Sequence, residues 1–127
     1  MKSLKLIFRQ FAFRGDSLPG VALKDIQIII HEPGKGITLR AVPPLIPKGL
    51  QIDLEFRTFE KGVLLMQVLS KRSLIHMLKM AMPDVLQLNY PELRVDTGLL
   101  SRKYIPGFRI RDMHISGNEY ILEMELE

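Results

Sequence analysis

Residues 50–59 read LQIDLEFRTF, a run in which apolar and polar side chains alternate strictly over its first eight positions. The apolar set is Leu50, Ile52, Leu54 and Phe56, and the polar set is Gln51, Asp53, Glu55 and Arg57. Successive side chains of a strand point to opposite sides, so this run predicts a β-strand with one buried face and one wet face. Such a strand is typical of an antiparallel sheet, because the strands of parallel sheets are apolar on both faces.

Short apolar runs on both sides of this strand, separated by Gly and Pro, predict further strands and hairpins. Residues 24–31 and 37–42 predict a hairpin around a turn at 32–36, and residues 63–69, apolar on both faces, predict a central strand. Residues 5–13 also fit a helical template, but their three phenylalanines favour a strand. The segment at 43–49 contains three prolines and predicts an extended loop, because proline lacks an amide donor.

The end of the chain predicts a second hairpin, with its turn at Gly117-Asn118. An unbroken register from that turn would place Arg111 opposite the apolar Met124. One extra residue in the first strand instead pairs Ile110 with Met124, because a slip of one residue exchanges the two faces of a strand. We therefore predict a β-bulge at residues 111–112.

One helix is predicted, over residues 70–82. Ser70 or Ser73 can cap its first amides, and Pro83 ends it. The apolar positions that fit the helical template are Leu74, Met77, Leu78, Ala81 and Met82. The opposite face carries Arg72, His76 and Lys79. The predicted fold class is therefore α+β, a strongly curved antiparallel sheet of six to eight strands packed on one amphipathic helix, in a single domain of residues 1–127.

The sequence contains no pattern that is typical of a catalytic or metal site. Without cysteine there are no disulfides and no thiolate ligands. The three histidines, His31, His76 and His114, are far apart and match no metal-ligand spacing. Gly34-Lys35-Gly36 lacks the spacing of a phosphate-binding loop, and no nucleophile elbow is present. We therefore expect no enzymatic activity, no cofactor and no metal.

The net charge of +4 is modest and unevenly distributed. The first fourteen residues carry only basic charges, and the last nine residues carry only acidic ones. Phe-Arg pairs such as Phe108-Arg109 resemble the aromatic and basic interleaving of single-strand nucleic-acid binders. In a strand, however, the two neighbours point to opposite faces. Nucleic acid is therefore an unlikely partner and ranks third among the functions considered.

The apolar run at the N-terminus ends at Arg9, after three residues, which is too short for a signal peptide or a membrane span. We expect no transmembrane segment and a cytoplasmic protein, with peripheral contact to a membrane as an open alternative.

Four of the seven methionines, Met66, Met77, Met80 and Met82, lie in or near the predicted helix. Methionine adapts to irregular apolar space, either in a core or in a ligand pocket. The leading hypothesis is non-catalytic binding of a lipid or other apolar ligand in a groove between sheet and helix. The expected groove residues are Leu74, Met77, Leu78 and Met82, with Arg72, His76 and Lys79 contacting head groups. The alternative is a self-associating module, a homo-oligomer closed across open strand edges or the Leu45-Ile46 loop.

The stretch Ile105-Pro106-Gly107-Phe108-Arg109-Ile110-Arg111-Asp112-Met113, followed by a turn and an apolar strand, carries a family resemblance. Together with the order of strands and helix from residue 37 to 126, it resembles the bacterial lipomannan-elongation-factor-like proteins of the tubular lipid-binding superfamily. The resemblance implies a curved sheet wrapped on a helix, with an apolar groove for acyl chains.

Overall fold

A computed structural model of the chain describes residues 2–15, 26–41, 49–104 and 106–126. These residues form ten strands and two helices, and every strand pairing among them is antiparallel. In chain order the elements are β1 (Lys2–Phe8), β2 (Phe11–Arg14), β3 (Ile26–Ile30), β4 (Ile37–Ala41), β5 (Leu50–Glu60), β6 (Val63–Val68), α1 (Arg72–Ala81), β7 (Leu86–Asn89), β8 (Glu92–Asp96), α2 (Thr97–Tyr104), β9 (Phe108–Ser116) and β10 (Glu119–Leu126). The antiparallel α+β prediction is confirmed. The predicted loop at 43–49, with Leu45 and Ile46, lies almost wholly outside the described residues.

The strands are divided between a large sheet and a small sheet. The large sheet has seven strands in the order β2-β3-β4-β5-β6-β8-β7, and the small sheet has three in the order β1-β10-β9. The chain begins with β1 in the small sheet. The two residues Arg9 and Gln10 then connect β1 to β2, which is an edge strand of the large sheet. A single sheet was predicted, and that prediction is wrong because β1 changes partner at this corner. Arg9 and Gln10 interrupt the apolar residues there, but the change of sheet depends on the pairing of β1 with β10.

Helix α1 lies over the large sheet and supplies much of the core. Ile75, Leu78 and Met82 are almost fully buried, together with Ile52 and Leu54 of β5. As predicted, the helix ends before Pro83: its last residue is Ala81 and its C-cap is Met82. Neither of the predicted serines, Ser70 or Ser73, is its N-cap. The N-cap residue is Lys71, which makes no side-chain capping bond. The Ser70 hydroxyl instead accepts a hydrogen bond of 2.8 Å from the Asp53 amide, so it ties the helix entry to β5.

A second helix, α2, was not predicted. Asp96 marks its start, because the Asp96 carboxylate accepts a hydrogen bond of 3.1 Å from the Leu99 amide, a typical N-cap interaction. Arg102 and Lys103 occupy its last turn, where cations are favourable. Thr97 anchors it, since the Thr97 hydroxyl donates to the Gly62 carbonyl at 2.7 Å. The acidic cap and the basic last turn were visible in the sequence, but an eight-residue helix shows too little apolar periodicity to be recognised.

The predicted bulge in the final hairpin is confirmed. Glu123 is opposite Asp112 and Met124 is opposite Ile110, so Arg111 is the extra residue of β9. Arg111 turns to Glu125, with its Nε 3.2 Å from the carboxylate. Bulges bend a strand and increase its twist, and the bent β9 contacts β5, the central strand of the large sheet.

Deleting Arg111 tests this register. The remaining residues would form a regular ladder with the same pairs, so we expect a folded protein that loses about 1 kcal/mol, from one partly exposed ion pair and the bend. Deleting Met113 instead removes a buried side chain and turns Asp112 towards Leu122. That variant should lose about 3 kcal/mol or more. Urea denaturation of both variants measures the difference, and equal losses would contradict the bulge.

Candidate functional site

The candidate site is built from apolar rows that cross one face of the large sheet. Directly opposed residues of antiparallel strands point to the same side, so the strand registers define these rows. The first row contains Phe11, Ile30, Ile37 and Leu54, and the second contains Phe13, Ile28, Leu39 and Ile52. Each row runs from the edge strand β2 to β5, and every side chain in it is apolar.

The rows are buried at β5 and open towards β2. Ile52 and Leu54 are 0% and 2% exposed. At the other end Phe11 is 44% exposed, and the second row keeps partly exposed side chains on all three strands before β5. We call the set Phe11, Phe13, Ile28, Ile30 and Leu39 the open apolar face. Phe11 is exposed and the other four are partly buried, and Ile28, Ile30 and Leu39 pack against the hydrophobic core. The set is contiguous, unlike scattered surface residues.

Both helices lie on other parts of the fold. Within the described chain, the principal contacts of α1 are with β5 and β7, and those of α2 are with β8 and β9. Neither helix has a principal contact with β2, β3 or β4. The open apolar face therefore lies on strands that have no principal contact with either helix among the described residues, a property that they share with β6.

The four groove residues predicted from the sequence do not all face the same way. Leu78 and Met82 are 2% and 6% exposed in the core, and Leu74 is partly buried against it. Met77 is 42% exposed and faces outward, so the prediction that it shares the inward face is wrong. Ile75 takes the inward position instead. Because Ile75 and Met77 are both apolar, the sequence alone does not decide which of the two faces the core.

The outward side of α1 combines basic and apolar groups. Arg72 and His76, two of the predicted head-group residues, are exposed, and Lys79, the third, is partly exposed. Met77 and Met80, the latter 73% exposed, stand on the same side of the helix. Among the described residues, Arg72, His76 and Lys79 take part in no ion pair.

Aromatic contacts join the open apolar face to the small sheet. Phe8, the last residue of β1, lies with its ring centroid 5.6 Å from that of Phe11 and 5.5 Å from that of Tyr120. Tyr120 also contacts Phe56 edge to face, at 6.4 Å. Such pairs are more stabilising than their buried area alone. They fix the angle at which the chain leaves one sheet and enters the other.

Burial raises the pKa of the Tyr120 hydroxyl above the ordinary tyrosine value. The unfolded chain therefore ionises Tyr120 first as the pH rises, and the folded state loses stability from about pH 10 upward. We expect Tyr120→Phe to lose less stability over that range than the native chain. Urea denaturation at increasing alkaline pH measures this. An unchanged pH slope in Tyr120→Phe would show that Tyr120 is not the responsible group.

The opposite face of the same strands carries a polar chain of hydrogen bonds. The Thr38 hydroxyl donates to the Asp53 carboxylate at 3.2 Å, and His31 Nε2 lies 2.9 Å from the same hydroxyl oxygen. Because Thr38 uses its only proton on Asp53, His31 Nε2 is the donor in the second bond. The Thr38 hydroxyl therefore lies between the Asp53 carboxylate, which accepts its proton, and His31 Nε2, which donates to its oxygen. His31 follows β3, Thr38 lies in β4 and Asp53 lies in β5, so no local pattern in the sequence indicates this contact.

Gly36 shapes the small cavity beside this chain of hydrogen bonds, which has a volume of about 380 Å³. Its φ is +89°, and a Cβ there would lie 2.8 Å from the Leu54 carbonyl oxygen. Gly34 has the same backbone conformation, with φ +90°, but open space around it. The two glycines therefore separate the cost of conformation from the cost of a clash.

We expect Gly34→Ala to lose about 1 to 2 kcal/mol of stability, the cost of a left-handed conformation. Gly36→Ala should lose about 3 kcal/mol or more, because the methyl group also pushes β4 away from β5. Thermal and urea denaturation compare the two. Similar losses would mean that the close approach of Gly36 to β5 is not required.

The described residues hold no group of three or more His, Cys, Asp or Glu side chains that could bind a metal ion. Neither helix is long and apolar enough to span a membrane. Comparisons with protein-family models, with curated proteins and with solved structures found no match.

Proposed function

We propose that the protein binds a lipid or another apolar ligand without catalysis, on the open apolar face of β2, β3 and β4. The observation that carries this proposal is the continuous set of partly exposed apolar side chains next to a fully buried core. An acyl chain laid across Phe11, Ile28 and Leu39 would remove this surface from water. Each methylene buried contributes about 0.8 kcal/mol, so about ten methylenes contribute about 8 kcal/mol before the costs of binding.

The size of the open apolar face favours a chain-like ligand over a second copy of the protein. Three strands span about 14 Å, and five residues of strand span about 17 Å, which gives roughly 240 Å² of projected surface. A stable dimer interface buries about 800 Å² on each partner. Self-association across this face would need much additional surface, whereas a single acyl chain would not.

Curvature of the large sheet would complete the groove. We propose, as expected from the sequence, that the large sheet curves over α1. A register shift in β5 at Arg57 supports this curvature, since bulges bend strands. Leu74 lies at the edge of the core and would border the groove from the helix side. The same function is implied by the resemblance to the lipomannan-elongation-factor-like proteins.

The outward side of α1 supports contact with a membrane surface, from which a lipid would be taken. Exposed Met77 and Met80 suit the boundary between acyl chains and head groups, and Arg72, His76 and Lys79 suit anionic head groups. The proposal therefore assigns the two sides of α1 to two tasks, core packing inward and peripheral membrane contact outward.

Two substitutions in β3 test the open apolar face. Ile28 and Ile29 are both partly buried, but they point to opposite sides of the sheet. We expect Ile28→Gln to weaken binding of a fluorescent fatty acid about tenfold, because it removes roughly 1.5 kcal/mol of apolar contact. Ile29→Gln is the matched control and should bind like the native chain. Equal binding by both variants would contradict the proposal.

Native mass spectrometry of gently purified protein, repeated after denaturing extraction, gives the complementary result. A lipid-sized adduct on a monomer that is lost on extraction supports the proposal. A dimer without an adduct would favour the self-associating module, with the exposed edge strands β1 and β2 as its contacts, and the lipid proposal would be dropped. Salt-dependent binding of oligonucleotides would favour the third alternative, nucleic acid.

A further inference from the structure

A second cavity lies between α2 and β9, beside the Pro106-Gly107-Phe108-Arg109 stretch. Its volume is about 560 Å³, and its described lining includes Ser101 and Arg102 of α2 with Phe108 and Arg109 of β9. Pro106 and Gly107 contribute the connecting turn, and Glu125 of β10 lies at the wall. The cavity is large enough for an anion carried on an organic group.

Positive charge predominates in this cavity. Arg102 and Arg109 come from different elements, and neither forms an ion pair with any described residue. The one carboxylate in the lining, Glu125, is already paired with Arg111 at 3.2 Å. Lys103, the neighbour of Arg102, is engaged with Asp84 outside the cavity. Two guanidinium groups thus remain available to an anion.

Ser101 of α2 also lines the cavity. No buried side-chain nitrogen or oxygen of the described residues lacks a hydrogen-bond partner. The Ser101 hydroxyl, which has no partner among those residues, is therefore open to the cavity. A hydroxyl donor beside two unpaired arginines is suited to an oxyanion, which accepts hydrogen bonds from both kinds of group.

We propose that this cavity binds a phosphate group carried on an organic molecule, with Arg102 and Arg109 holding its oxygens and Ser101 donating one hydrogen bond. Guanidinium groups form planar paired contacts with phosphate oxygens. The Phe108 ring and Pro106 provide an apolar wall for the carrier. The phosphate comes either from a soluble phosphoester or from a phospholipid head group. This proposal does not depend on the open apolar face.

The test measures how tightly the full-length protein binds each of three probes: inorganic phosphate, glycerol phosphate, and phosphatidylcholine vesicles with and without phosphatidic acid. Calorimetry serves for the soluble probes and flotation for the vesicles. We expect Arg102→Gln and Arg109→Gln each to weaken binding about tenfold or more, and Ser101→Ala to weaken it less. Arg109→Lys should recover only part of the loss, because lysine keeps the charge but not the planar contact.

Arg94→Gln is the matched control, since it removes one exposed arginine of β8 that is paired with Glu92. It should bind every probe like the native chain, and so should Ile28→Gln with the two soluble probes. Binding of glycerol phosphate points to a soluble phosphoester, and binding to phosphatidic acid vesicles alone points to a head group. Either result supports the site if Arg102→Gln and Arg109→Gln each weaken it about tenfold or more. Unchanged binding in both variants, or no binding of any probe by the native chain, would overturn the proposal.

Discussion

The width of the large sheet constrains everything else in this fold. At the usual spacing of about 4.8 Å, the two outer strands of this seven-stranded sheet lie about 29 Å apart. Helix α1, with ten residues, is about 15 Å long and about 10 Å wide, and α2 is shorter still. Two such helices cannot cover one whole face of seven strands. The core therefore forms where α1 lies, around Ile52, Leu54 and Ile75, and the apolar rows continue beyond it towards β2.

The corner between the two sheets keeps that uncovered part in a defined position. β1 and β2 are consecutive in the chain but belong to different sheets, so the angle between them has to be fixed by side chains. Phe8, Tyr120 and Phe56 perform this role, because their rings contact one another from β1, β10 and β5. The contact between Phe8 and Phe11 makes the apolar surface continuous across the corner. Leu4 of β1, 40% exposed, extends it along the small sheet.

The sequence was sufficient for the features that depend on short-range alternation. The faces of β5, the antiparallel class and the extra residue at Arg111 follow from the two-residue period of a strand, since a wrong face would bury charge. It was insufficient where a choice depends on distant partners. The break at Arg9-Gln10 depends on β10, more than a hundred residues away, and the brevity of α2 hides its periodicity. The His31, Thr38 and Asp53 contacts depend on the registers of three strands. The open apolar face itself appears only when one knows which strands the helices leave uncovered.

The energetics explain why an apolar face alone makes a weak site and why charge matters for the proposed function. About ten buried methylenes contribute about 8 kcal/mol, while the loss of translational and rotational freedom costs at least about 4 kcal/mol. The remainder corresponds to a millimolar dissociation constant. Two hydrogen bonds to a charged group add about 1.5 to 3 kcal/mol each and bring the affinity into the micromolar range. In the proposed function, a bound lipid would therefore need an anionic head group as well as an acyl chain.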